Sequence, residues 1–222
     1  MRNSGLFLAA AVFLVTLPLS AKSQDNKSGA QFNAGVDVYS NYIFRGTKFG
    51  QGPAVQPSLK FSYGNFATGV WGSFDASGFM ETDPYVSFSF PFGLSLGFTD
   101  YFYPALGGSF FSDSSNAFEV NAGFARGGLS LSANYIFNEA TVPASKGGDK
   151  YFQAYYSFEK FFMSAGAGDG WHTTDGSFDI CHLGIGTVKI INITESFSVP
   201  LTGQVILNPD RNQLFLIAGF GF

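Results

Sequence analysis

The sequence predicts an all-β fold, an antiparallel up-and-down transmembrane β-barrel of about 12 strands, and three observations carry that expectation. The closing stretch, Arg211 to Phe222, alternates Leu214, Leu216, Ala218, Phe220 and Phe222 with smaller or polar residues and then stops on an aromatic ring. That is the period of a strand, whose successive side chains point to opposite faces. Aromatic residues make up 18% of the chain, with 28 Phe, while charged residues make up only 13%. A soluble domain carries about 25% charged residues, so this chain has too few to coat a solvated exterior. Alternating segments also recur along the chain, joined by turns that are short and long by rotation. Short turns on one side and long loops on the other are the pattern of a membrane barrel.

The amino terminus reads as an export signal. Arg2 supplies a positive start, Leu6 to Leu17 is an apolar run, and Pro18, Ser20, Ala21 and Ser23 supply a break and small residues. The expected division is a signal over 1–23, cut between Ala21 and Ser23, and a barrel over 24–222. The apolar run is too short for a comfortable membrane helix, which needs about 20 residues. The net charge of -4 is spread without a basic patch, which excludes nucleic acid as an expected partner. The single cysteine, Cys181, reads as a small apolar strand residue.

Taken in order, the first strand is expected over 31–45, with Phe32, Ala34, Val36, Val38, Tyr42 and Phe44 on one face. Asn33, Asp37, Asn41 and Arg45 take the other. A Gly- and Pro-containing loop follows over 46–53, then strands at 54–63 and 66–75 about the Gly64-Asn65 turn. Further strands are read at 81–90 and 92–99, at 118–124 and 129–137, at 150–158 and 161–169, at 178–190 and 196–207, and at 211–222. Loops 104–116 and 138–149 are the longest and the candidates to fold inward. The opposite faces of these strands are rich in Gly, Ser, Thr, Asn and Gln, the polarity of a lumen wall.

The stretch Val36 to Asp75 resembles the TorF family, outer-membrane barrels named as porins. The elements that carry the resemblance are Ser40, Tyr42, Phe44, Arg45 and Gly46, then Pro53, Ala54 and Gln56, then Gly69 to Ser73, with Asp100 to Pro104 in the same order. The resemblance implies a Gram-negative outer-membrane barrel and brings no defined substrate residues with it.

Six inward-read residues are candidate pore-lining groups: Asp37, Asn41, Arg45, Lys60, Asp83 and Glu119. A lumen charge tunes permeation or forms a structural ion pair in the wall. Tyr101, Phe102 and Tyr103 read as an interfacial aromatic girdle. His172 and His182, with Asp169, Asp175 and Asp179, match no metal-ligand spacing, and no serine sits in a recognisable nucleophile motif. No enzyme activity, cofactor or metal is therefore expected. The expected function is passive diffusion of small polar solutes. A structural or adhesion barrel, or a lipid-modifying enzyme, is the alternative. The expected partners are outer-membrane lipid, the barrel-assembly machinery, which reads Phe222 as an assembly signal, and the solutes themselves. The last strand is expected to pair with the first, placing Gly219 and Gly221 beside Asn33 and Gly35.

Overall fold

The computed structural model describes residues 29–112, 115–195 and 197–222. The expected signal over 1–23 lies outside the described residues. In chain order the strands are β1 (Gln31–Tyr39), β2 (Tyr42–Phe44), β3 (Thr47–Phe49), β4 (Ala54–Tyr63), β5 (Phe66–Asp75), β6 (Met80–Ser89), β7 (Leu94–Phe102) and β8 (Asn116–Arg126). They continue as β9 (Leu129–Ile136), β10 (Glu139–Ala140), β11 (Ser145–Lys146), β12 (Asp149–Ser157), β13 (Phe162–Gly168), β14 (Asp179–Asn192), β15 (Ser198–Asn208) and β16 (Gln213–Gly221). Twelve of these close into one antiparallel barrel, in the order β1-β4-β5-β6-β7-β8-β9-β12-β13-β14-β15-β16 and back to β1. The pairs β2-β3 and β10-β11 stand apart as small hairpins. Among the described residues no helix is long and apolar enough to cross a membrane.

The period of two assigns the faces. In β16, Ile217, Gly219 and Gly221 are buried while Leu214, Leu216, Ala218 and Phe220 are exposed. The same division runs around the wall, where Phe32, Leu59, Val86, Leu96, Leu131, Ile185 and Val205 are exposed. Gln56, Ser62, Ser87, Ser95, Thr99, Asn134, Ser164 and Thr202 are buried on the enclosed side. Polarity is thus inverted relative to a soluble barrel, and the charge deficit has its explanation. Tight connections such as Gly64-Asn65 and Gly127-Gly128 gather at one end, and the long loops gather at the other, where the links 76–79 and 209–212 are the short exceptions.

The β14-β15 hairpin is the longest. It pairs down to Asn192 opposite Ser198, whereas β13 begins opposite Gly186, so the hairpin overhangs the short-turn rim.

At the seam, β1 pairs antiparallel with β16, and the register differs from expectation. Gly221 lies opposite Asp37 and Gly219 opposite Tyr39, rather than beside Asn33 and Gly35. The cause is steric. A Cβ on Gly219 would meet the Tyr39 ring at 2.1 Å, and one on Gly221 would meet the Asp37 carboxylate at 2.1 Å. These two glycines give the large inward side chains of β1 their space, and that fixes the offset.

Two further expectations need correction. The first strand does not run through to Arg45. Ser40 holds the end of β16, its N–H donating to the Ala218 carbonyl at 2.8 Å and its Oγ accepting from the Ala218 N–H at 3.1 Å. Beyond it the chain bends off the wall. Tyr42, Ile43 and Phe44 are then all buried, which a half-exposed strand would not allow. Tyr101, Phe102 and Tyr103 are not all at an interface either. Tyr101 and Tyr103 take the enclosed side with their hydroxyls on carboxylates, and only Phe102 has the outward parity.

Substituting Gly219→Val is expected to lower the folded fraction after refolding and shorten the lifetime of the heat-modifiable form. Gly203→Ala, where no heavy atom lies within 4 Å of the new Cβ, should match wild type. Equal folding of Gly219→Val and wild type would refute the steric account of the seam.

Candidate functional site

The feature that occupies the lumen is the β2-β3 hairpin. Phe44 pairs with Thr47 across a two-residue turn of Arg45 and Gly46. Both turn residues have positive φ, 52° at Arg45 and 82° at Gly46, the geometry of a type I′ hairpin turn. Asn would adopt it with less strain than Arg. The side chain explains the choice: Arg45 Nη1 and Nη2 donate to Glu119 Oε2 and Oε1 at 2.6 and 2.8 Å. The two side chains are 2% and 0% exposed, so this is a fully buried, two-pronged ion pair.

The hairpin tip touches four wall strands. Glu119 stands on β8. The Arg45 guanidinium carbon lies 4.6 Å from the centre of the Tyr151 ring of β12, and equally 4.6 Å from the Phe44 ring. The Gly46 carbonyl accepts from Asn208 Nδ2 of β15 at 3.1 Å. A Cβ on Gly46 would strike the Cys181 carbonyl of β14 at 1.9 Å. Burial opposes the Arg45 charge, but Glu119 beside it more than offsets that and raises its pKa above the ordinary arginine value.

Behind the tip lies an aromatic layer. Tyr42, Phe44, Tyr101, Tyr103 and Trp171 are buried together, with Phe49, Trp71 and Phe79 packed against them. Phe44 and Trp171 stack at 5.9 Å, and Tyr42 meets Phe49 and Trp71 at 5.5 Å. Trp171 and His172 come from a short turn of helix at Gly170–His172. Burial pushes the His172 imidazole well below its usual pKa, so it sits neutral beside Trp171 and Tyr151. Ala140 and Val142 bring the 138–149 loop into the same layer. The described residues of the 104–116 loop pack on the outer side of the wall. Its Phe110 packs on outward Phe102 at 4.3 Å, and its Phe111 stacks on Phe118.

Glu119 also accepts from the Tyr101 hydroxyl at 2.8 Å and from Asn121 Nδ2. Asn121 continues to Thr99 and Asn134, which extends the network around the wall. Glu81 and Asp83, both wholly buried on β6, belong to no ion pair among the described residues. Tyr103 donates to Glu81 Oε1 at 3.0 Å, whereas Glu81 Oε2 and both Asp83 oxygens have no hydrogen-bond partner among the described residues.

The structure separates the six sequence-read residues. Arg45 and Glu119 meet, although Arg45 is on the inner hairpin and not the wall. Asp83 is enclosed near them on β6. Asp37 and Lys60 are part-enclosed on β1 and β4, toward the seam and the short-turn end. Asn41 sits in the bend that leaves β1. Sequence reasoning missed Trp171, Glu81 and the hairpin itself. The available signals were the Ser40-Asn41 break, three consecutive apolar residues before Arg45-Gly46, and a Trp in a loop otherwise polar.

Neither histidine assembles a metal site, since among the described residues no group of three or more His, Cys, Asp or Glu is placed to hold one. His182 Nε2 lies 2.8 Å from Ser164 Oγ. A hydrolytic triad needs a third group that orients the other ring nitrogen, and His182 Nδ1 has no such partner among the described residues.

A family model described as a bacterial protein of unknown function (Gcw_chp) matches residues 23–173, which include the hairpin, Glu119 and Trp171. No curated protein and no solved structure matches the chain.

Glu119→Ala would leave Arg45 buried without a counter-charge, a change that costs about 3–5 kcal/mol. The expected result is faster amide exchange over 42–49 and a new tryptic cut after Arg45. Arg45→Ala combined with Glu119→Ala should lose less than the two single losses added. Additive losses would show that the pair is not coupled.

Proposed function

The chain belongs to Gcw_chp, a bacterial family of unknown function, and we propose that it is an outer-membrane barrel that passes small polar solutes by passive diffusion when its inner hairpin is displaced. One observation carries this reading. The short-turn half of the enclosed wall carries small polar residues such as Ser62, Ser87 and Ser95, and what fills the outer half, where Tyr101, Tyr103, Ile136 and Ile206 also face inward, is chiefly a short hairpin of the same chain with the loops packed on it. A barrel that served only as a scaffold has no need of an interior lined by Ser, Thr, Asn and Gln down to the short-turn rim.

Several features support the membrane setting. The exposed belt of Phe, Leu, Ile and Val suits lipid, which neither hydrates nor hydrogen-bonds a side chain. The ring has no free edge in need of protection. Short turns at one end and long loops at the other match the orientation of outer-membrane barrels, with the long loops outside. The resemblance of Val36 to Asp75 to TorF-family porins points the same way. Under this reading the partners are outer-membrane lipid, the assembly machinery acting on the Phe222 strand, and the solutes.

The tight aromatic packing of the hairpin favours a second reading, a permanently closed barrel with a structural or adhesive role. Planar-bilayer recording separates the two. Wild type should show rare, brief openings, and a variant with 42–49 replaced by a short Gly-Ser linker should show frequent unitary steps. Absence of steps from both proteins, in samples shown to be folded by heat modifiability, would leave the closed-barrel reading standing and remove the permeation one.

A further inference from the structure

The wall around Arg45 is built as a cation site, and Arg45 is its tethered occupant. We infer that Glu119, Tyr101 and Tyr151 form a receptor for the guanidinium or ammonium group of a small organic cation, which takes the place of Arg45 when the hairpin withdraws. The assignment of the cation as the transported class rests on the permeation reading, whereas the binding does not.

The first ground is geometric. Glu119 presents both carboxylate oxygens to one planar guanidinium, at 2.6 and 2.8 Å. The Tyr101 hydroxyl holds that carboxylate from the wall side at 2.8 Å, and the Tyr151 ring offers its face at 4.6 Å. A carboxylate fork with an aromatic face is the chemistry that recognises organic cations. All three groups belong to the wall (β7, β8 and β12) and stay behind when the hairpin leaves.

The second ground is the charge left on the wall. Withdrawal of the hairpin removes Arg45, and the inward strand positions of the outer half then carry Glu81, Asp83, Glu119 and Asp149 against one remaining cation of the loops packed there, Arg211, which donates to the Trp171 carbonyl at 3.1 Å. Lys60 faces the other end, paired across the sheet with Asn33. Neither Glu81 nor Asp83 has a cationic partner among the described residues. A low-dielectric channel lined this way attracts cations and repels anions. The tether makes Arg45 a competitor at high effective concentration, so a free solute binds only as the hairpin moves away.

Chemical rescue tests the receptor without any transport. In the folded, full-length Arg45→Ala protein, Glu119 keeps its bonds from Tyr101 and Asn121 but has no counter-charge, and the heat-modifiable form should be shorter-lived than in wild type. Millimolar ethylguanidinium should restore most of that lifetime in a saturable way, while NaCl and urea at equal concentration should not. Arg45→Ala with Glu119→Gln should show no rescue. A lifetime unmoved by ethylguanidinium, or moved equally by NaCl, would overturn the receptor. Ion selectivity tests the transported class. The linker-replaced barrel should show a reversal potential favouring K⁺ over Cl⁻, and Glu81→Gln with Asp83→Asn should reduce it. Equal or anion-favouring permeability would overturn the cation assignment, whereas a lack of any conductance with rescue intact would count against permeation alone.

Discussion

A sheet that curls until its first strand meets its last has one enclosed face and one exposed face, and the rest of this structure follows from which residues take which. Twelve strands enclose more space than their own inward side chains fill, because so many of those are Gly, Ser and Ala. Something must occupy the space or it stays wet. The chain supplies the filling itself through the first long connection, which leaves the wall at Ser40 and returns at Ala54. The loops carrying Trp171 and Ala140 close over it.

What holds the hairpin inside is of mixed strength. The aromatic layer contributes packing without direction, as large rings meet in tilted and stacked pairs. The ion pair contributes direction. A buried Arg–Glu pair adds little net stability over an apolar substitute, since desolvation of both charges offsets their attraction. Its effect is on placement: among the described residues Arg45 pairs with the Glu119 carboxylate alone, so the tip docks at one height and in one rotation. Gly46 must follow it, because the Cys181 carbonyl leaves no space for a side chain. The strained φ at Arg45 is thus tied to a charge that could not be met from an easier turn.

Much of the wall was legible from the sequence. Period-two alternation, punctuated by Gly64-Asn65, Pro91 and Gly127-Gly128, gives strand number, inward and outward faces and the two unlike ends. The hairpin was not legible in the same way, because Tyr42 and Phe44 continue the apolar parity of β1 and so extend it on paper to Arg45. Alternation reports how a strand divides two environments, and it carries no information when both faces of a strand are enclosed, as here. The ion pair spans 74 residues, a distance no local pattern records. Tyr101 and Tyr103 read as a girdle from their type and their place where a strand meets an outer loop, although their parity with Thr99 places them inward. The register of the seam depends on Gly219 meeting a ring, a steric fit between the two ends of the chain.

That offset register has a mechanical side. β1 and β16 meet only from Val36 to Ser40, whereas β14 and β15 are matched over ten residue pairs. The segment Gln31–Gly35 is joined to β4 and extends past the last residue of the chain, which stacks on Phe197 of the overhanging hairpin. The ring is therefore fastened by a short clasp beside its longest hairpin. A force that parts neighbouring strands meets the least resistance there, and the ring would open as a sheet with its inner hairpin still attached to the strand that came free.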